Sequence, residues 1–147
     1  RAALEAVRVL SRAAGPDGMV GGQMLDLIGE SRRLSRTELL HMNTLKTCRF
    51  ISVACELGCI AAGADNAARR RAVEYGEAIG LCYQLTDDLL DADTEKAEKT
   101  TFLSYYTVDE ARDYAQRLTA KAKEMIARDD RDGTLSALAD RLLSRRV

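Results

Sequence analysis

Three aspartates interrupt an apolar, helix-like run in the stretch GLCYQLTDDLLDAD, which covers residues 80–93. Gln84, Asp87 and Asp91 are spaced three and four residues apart, so they share one stripe of a helix, and Asp88 lies beside them. Carboxylates at this spacing repel by about 0.2–0.5 kcal/mol in an isolated helix, and acids at a helix C-terminus also oppose the macrodipole. A solvated helix end is the simpler explanation of the acids taken alone. Their position and Gln84 favour a hard cation such as Mg²⁺, which prefers oxygen ligands and shares phosphate oxygens with substrates.

A second set of polar residues surrounds Lys46 and Thr47, which precede the most apolar segment, residues 50–64. A lysine at this position either extends its ammonium group to solvent or directs it at phosphate oxygens inside a helical cavity. Asp26, in GGQMLDL, is the candidate counter-charge of Lys46. The glycines of GMVGGQ, residues 18–23, cost about 1 kcal/mol each in a helix interior. They indicate close helix packing, backbone approach to a ligand, or a simple turn before a helix.

The elements that must position these residues are helical, because no window shows sustained alternation with period two. We therefore predict an all-α chain, a helical bundle that forms one domain over residues 1–147. The third helix is apolar on nearly every face after Lys46 and is expected to be the central one. A capping box of Thr107 with Glu110 marks a later helix start. The expected helices cover residues 2–14, 19 to about 30, 36 or 37 to 62, 65 or 66 to 91, about 107–127 and 134–145, with a short helix at TFLSYY, residues 101–106.

Composition excludes several classes of protein. The chain has 22 basic and 23 acidic residues, so its charge indicates neither nucleic acid nor an anionic membrane surface as a partner. The apolar run at residues 50–64 is too short to span a bilayer. The four cysteines have no CxxC spacing and only one histidine to assist them, which favours free thiols over a metal site. We expect a cytoplasmic protein with no membrane span.

These segments together resemble the second half of a trans-isoprenyl diphosphate synthase, the family of farnesyl and geranylgeranyl diphosphate synthases. In the family's order, GMVGGQMLDL resembles GMxGGQxxDL, LKT resembles the KT motif, and YQLTDDLLD resembles FQxxDDxxD, the second aspartate-rich motif. KTTFLSYYTVDEAR resembles KxTxxxLLGxxxAR, and LSALADRLLSRR resembles the family's terminal helix. Each motif is weak singly, but their ordered combination is specific and covers essentially the whole chain.

The resemblance implies an isoprenoid-synthase fold, a homodimer and head-to-tail prenyl transfer. In that reaction an allylic diphosphate ionises with the help of Mg²⁺, isopentenyl diphosphate attacks the allylic cation, and a proton is lost, giving farnesyl or geranylgeranyl diphosphate. The resemblance also implies roles for nine residues. These are Asp87, Asp88 and Asp91 for magnesium, Lys46 and Lys99 for diphosphate, Thr47 and Gln84 for the carbocation, and Gln23 and Asp26 as supporting residues.

The chain departs from the family pattern in two ways. The first aspartate-rich motif and the upstream basic residues for isopentenyl diphosphate are absent, so this chain is expected to supply only half of an active site. The loop after DDLLDAD is also shorter than in the family. Either the loop is shortened or residues are missing between Asp93 and Thr94. We favour the second explanation, which predicts that the Cα atoms of these two residues lie farther apart than the ~3.8 Å of bonded neighbours.

Other functions remain open at this point. A non-catalytic helical subunit or scaffold of a prenyl synthase assembly would keep the fold and some motif residues. A terpene cyclase is less favoured, because its usual second metal motif of Asn, Ser or Thr, and Glu is not present. A generic helical interaction module would leave the acidic stripe unexplained.

Overall fold

The computed structural model describes residues 1–93 and 99–145. Within these ranges the chain is helical and has no strand, so the all-α prediction is confirmed. The helices are α1 (Ala2–Ala14), α2 (Met19–Ser31), α3 (Arg36–Asn43), α4 (Arg49–Ala61), α5 (Asn66–Leu90), α6 (Val108–Ile126) and α7 (Thr134–Leu143). A π-helical turn, Thr44–Cys48, joins α3 to α4, and 3₁₀ turns cover Asp91–Asp93 and Phe102–Ser104.

Side-chain caps fix the starts of three helices. Ser35 and Glu38 form a capping box at α3, and Thr107 forms the predicted capping box with Glu110 at α6. Asp65 accepts a hydrogen bond from the Ala68 N–H at the start of α5. Each cap satisfies backbone donors that have no partner inside the helix. These helix starts could therefore be predicted from local sequence.

Helix α5 is the central element, since it packs against α4, α6, α7 and the π turn. The prediction that the third helix is central was wrong. Helix α4 packs mainly on α1 and α5, and Phe50 near its start is 41% exposed. An apolar sequence shows that a helix can be buried on many faces, but neighbouring elements decide how many faces are covered.

The segment that begins at residue 99 is anchored to the core by Phe102, which is almost fully buried. Phe102 belongs to a cluster that includes Leu39, Met42 and Leu85, contributed by α3 and α5. Close by in the chain, the Tyr105 hydroxyl donates a hydrogen bond to the Leu34 carbonyl. These contacts hold the segment 99–105 against the bundle.

Several predicted boundaries change. Helix α5 ends at Leu90, so Asp91 begins a 3₁₀ turn, and α7 ends at Leu143, so Arg145 lies beyond it. The predicted break after Asp93 involves Thr94, which lies outside the described residues, and this prediction stays untested. All four cysteines are free. None of the described helices has the length and apolar character that crossing a membrane requires.

Candidate functional site

A cavity of about 750 Å³ lies among α2, α3, the π turn, the end of α5 and the segment 99–104. It brings together eight of the nine residues that the sequence singled out. These are Asp26, Lys46, Thr47, Gln84, Asp87, Asp88, Asp91 and Lys99. The ninth, Gln23, is exposed and does not line the cavity. Asn43 does line it and is buried, although sequence reasoning had not selected it.

One side of the cavity holds the lysine cluster, which consists of Asp26, Lys46 and Lys99. The Lys46 Nζ lies 2.6 Å from Asp26 Oδ2, and the Lys99 Nζ lies 2.7 Å from Asp26 Oδ1. Asp26 is only 3% exposed, and burial alone would raise its pKa, but the two ammonium groups hold that pKa below its usual value. Each ammonium has three donors, so both lysines retain donors for phosphate oxygens. The cluster carries a net charge of about +1 and is suited to an anion.

The π turn decides where Lys46 and Thr47 lie. Its signature is the hydrogen bond from the Arg49 N–H to the Thr44 carbonyl five residues earlier. Helix α2 approaches the turn so closely that a Cβ on Gly22 would lie 2.3 Å from the Lys46 nitrogen. From the other side, a Cβ on Gly80 of α5 would lie 2.8 Å from the Cys48 Cα. Two glycines therefore allow two helices to enclose the turn that presents Lys46.

Sequence reasoning missed this turn, although part of the signal was present. The glycines of GMVGGQ indicated close packing or backbone approach to a ligand, and the structure shows close packing at Gly22. Nothing in the local sequence specified a π-helical turn inside the predicted helix over residues 36–62. Such turns are frequent at functional sites, and this one contains Lys46 and Thr47, which both line the cavity.

The same cavity is lined by the acidic cluster, Asp87, Asp88 and Asp91. Asp88 accepts a hydrogen bond of 2.6 Å from the Phe102 N–H. Burial raises the pKa of Asp88 to about 6; the Phe102 N–H opposes this rise, and the charges of Asp87 and Asp91 add to it. Asp91 is exposed at the rim. The cluster therefore concentrates negative charge that is costly without a cation.

Arg145, which follows α7, supplies a cation to Asp87 through an ion pair. Its guanidinium carbon lies 4.2 Å from the centre of the Tyr83 ring, within the range of a cation–π contact. Sequence reasoning did not select Arg145, because it lies 58 residues from Asp87 and was expected to end a helix. No local pattern could have revealed this contact.

The donor chemistry of the acidic cluster fits Mg²⁺. Magnesium is commonly held by one or two carboxylates, several waters and the phosphate oxygens of a substrate. In residues 1–93 and 99–145, no group of three or more Asp, Glu, His or Cys side chains is arranged to hold a metal by itself. Carboxylates that line a cavity together with two lysines are donors suited to a cation that shares phosphate oxygens with a bound ligand.

Comparison with known proteins gives a consistent result. The sequence model described as polyprenyl synthetase matches residues 1–133. The mitochondrial geranylgeranyl pyrophosphate synthase 6 of Arabidopsis thaliana is 32% identical over 97% of this chain and 48% of its own length. The farnesyl diphosphate synthase of Haemophilus influenzae is 31% identical over 97% of this chain and 53% of its own.

Solved structures show the same likeness. An FPP/GFPP synthase from Zymomonas mobilis superposes with a TM-score of 0.89 at 32% identity, covering 96% of this chain and 51% of that one. A geranyltransferase from Helicobacter pylori, in a complex with magnesium and isoprenyl diphosphate, gives a TM-score of 0.77 at 25% identity and covers 97% and 50%. This chain thus spans about half the length of the relatives it matches.

Proposed function

This chain belongs to the polyprenyl synthetase family, and we propose that it forms the diphosphate-binding half of a short-chain trans-prenyltransferase. The enzyme would condense an allylic diphosphate with isopentenyl diphosphate and release diphosphate, with farnesyl or geranylgeranyl diphosphate as the product. One observation carries the proposal: a lysine cluster with a shared buried counter-charge and three carboxylates line one cavity of about 750 Å³. A diphosphate and its divalent cation together require these two kinds of surface.

The lysines have the clearest role in this reaction. Lys46 and Lys99 bind the allylic diphosphate, and Asp26 keeps both ammonium groups on the cavity wall. As the carbon–oxygen bond breaks, negative charge grows on the leaving diphosphate, and donors already in place stabilise it without reorganisation. Magnesium bound by Asp87, Asp88 and Asp91 would neutralise part of that charge as a Lewis acid.

The remaining lining residues protect the allylic cation. Thr47 and Gln84 present oxygen dipoles that stabilise positive charge, in the role that the family resemblance gives them. Leu39, Met42 and Leu103 contribute apolar walls to the same cavity. Exclusion of water by such walls prevents hydrolysis of the cation to an alcohol.

The relatives' greater length supports placing the rest of the active site outside these 147 residues. Under the proposal, further metal ligands and the isopentenyl diphosphate site come from those parts of the protein.

We also propose that the protein forms a homodimer. The homodimer is what the family resemblance implies. Leu4, Val7, Val20 and Met24 are exposed apolar side chains on α1 and α2 that a second copy or the rest of the protein would cover. The cytoplasmic location stays a prediction.

The test is a condensation assay on the full-length protein with labelled isopentenyl diphosphate and dimethylallyl, geranyl or farnesyl diphosphate. We expect a prenyl diphosphate product that depends on Mg²⁺. Lys46→Gln should lower kcat by about 10²–10³-fold, because one charged donor to the leaving group is lost. Lys121→Gln, at an exposed lysine of α6, makes the same change in net charge and should leave kcat unchanged.

Two results would contradict the proposal. A Lys46→Gln variant as active as the wild type would remove Lys46 from the site. A folded wild-type protein that forms no product and does not bind inorganic pyrophosphate would favour the non-catalytic subunit instead.

A further inference from the structure

We propose that Arg145 is a built-in counter-ion of Asp87, which a divalent cation must displace in order to bind the acidic cluster. The inference rests on the proposed function for the identity of the cation. The contact between Arg145 and Asp87 is a separate observation, and neither the family motifs nor the sequence assigned a role to Arg145.

The contacts of Arg145 are strong enough to hold it at Asp87. Its guanidinium group forms the ion pair with Asp87 and lies over the Tyr83 ring, one helical turn before Asp87 on α5. About three quarters of the Arg145 side chain is removed from solvent. An arginine that both pairs with a carboxylate and stacks on an aromatic ring is held in a defined position.

The same contacts leave Arg145 incompletely satisfied. Its Nε atom is buried and has no hydrogen-bond partner in the described part of the chain. A buried donor without a partner raises the free energy of the paired state. The ion pair therefore neutralises Asp87, but a cation that binds this carboxylate more strongly can replace Arg145.

Two other cations that line the cavity, Lys46 and Lys99, both pair with Asp26. Asp88 accepts a hydrogen bond from the Phe102 N–H and also feels the charge of Lys99, which already pairs with Asp26. Arg145 thus offsets part of the repulsion among the three aspartates when no metal is bound. A divalent cation that binds Asp87 must displace Arg145, so the measured affinity equals the intrinsic affinity multiplied by the fraction of molecules in which the ion pair is broken.

The experiment measures Mn²⁺ and Mg²⁺ binding to the full-length protein without substrate, by electron paramagnetic resonance and titration calorimetry. Arg145→Gln should bind the cation about 10-fold more tightly, a typical size for coupled binding. Tyr83→Leu keeps every charge but removes the ring under Arg145, and it should tighten binding by a smaller factor. Arg141→Gln, at an exposed arginine of α7, removes the same charge without the contact and should change affinity less than about twofold.

A second readout does not depend on metal affinity. In a double-mutant cycle with Asp87→Asn and Arg145→Gln, the unfolding midpoints should show coupling in EDTA, and that coupling should vanish at saturating Mg²⁺. Persistence of the coupling at saturating Mg²⁺ would mean that the cation does not displace Arg145, and the inference would be overturned.

The outcomes separate this inference from the proposed function. If the wild type binds the cation and Arg145→Gln binds it no more tightly, the inference fails alone. Equal gains from Arg145→Gln and Arg141→Gln would also overturn it, since general charge would then explain the effect. If no variant binds a divalent cation, the proposed cation site fails, and the displacement fails with it.

Discussion

The lysine cluster and the acidic cluster face the same cavity, but their charges are neutralised in different ways. The lysine cluster has its counter-charge within the helical bundle, because Asp26 is buried on α2 and pairs with both lysines. Two partners of the acidic cluster come from segments outside the regular helices. Phe102 supplies an N–H from a 3₁₀ turn, and Arg145 supplies a cation from beyond α7.

The difference shows which half of the site is complete without ligands. A buried acid with two ammonium partners is electrostatically satisfied, which its lowered pKa also indicates. In the acidic cluster, Asp88 is not satisfied to the same degree, because burial raises its pKa to about 6. Removing a negative charge should therefore have opposite effects on stability in the two clusters, and helix packing should matter most for the lysine cluster.

The largest effect is expected from Gly22→Ala, which tests how strongly packing builds the lysine cluster. The new Cβ would lie 2.3 Å from the nitrogen and 2.6 Å from the Cα of Lys46, and backbone atoms cannot rotate away. We expect a loss of about 3 kcal/mol in the free energy of unfolding, as for a strongly overpacked core. Urea unfolding measures this loss. Calorimetry should also show weaker pyrophosphate binding, because Lys46 is displaced.

Gly58→Ala is the matched control for that substitution. Gly58 lies within α4, and no atom beyond its chain neighbours and the backbone of its own helix lies within 4 Å of the position its Cβ would take. Alanine should stabilise the protein there by about 0.5–1 kcal/mol through helix propensity alone. If Gly22→Ala also increased stability, the close approach of α2 to the π turn would not be a constraint, and the contrast between the clusters would weaken.

Asp26→Asn should have the next largest effect. An amide cannot neutralise Lys46 and Lys99, so each ammonium loses its partner, although both can turn partly toward solvent. We expect a loss of about 2 kcal/mol, within the range for an unpaired buried polar group. Chemical unfolding at pH 7 measures it, with Asp113→Asn on the exposed face of α6 as the control. Equal stability of the two variants would mean that Asp26 is not the structural counter-charge of the lysines.

Local signals account for what the sequence could predict. Helix α1 ends at Ala14 as expected, because Gly15 and Pro16 follow it. The capping box at Thr107 marks the start of α6. The eight site residues that line the cavity could be predicted for two reasons. Their spacing places several of them on common helix faces, and the order of the family motifs linked residues on separate helices.

Features that depend on contacts between distant segments could not be predicted in this way. The π turn requires α2 and α5 to enclose residues 44–48, and the Arg145 contact requires α7 to pack beside α5. Gln23 shares the GGQ motif with Gly22, yet the helix turns it to solvent while Gly22 faces Lys46. A motif thus indicates which helix contributes to a site, whereas packing decides which of its side chains enter it.

Asp88→Asn should have the smallest effect of the three, and its sign should be opposite to that of Asp26→Asn. At pH 7 Asp88 is ionised at a cost, because burial raises its pKa to about 6. Asparagine keeps an oxygen that can accept the Phe102 N–H and removes the repulsion from Asp87 and Asp91. We expect a gain on the order of 1 kcal/mol in unfolding measured at pH 7 in EDTA, since one pKa unit corresponds to about 1.4 kcal/mol. Asp88→Ala also removes the charge but loses the acceptor, so it should be less stable than Asp88→Asn. An Asp88→Asn variant less stable than the wild type would contradict this prediction. The acidic cluster would then be satisfied without a cation, as the lysine cluster is, and the two clusters would not differ in this respect.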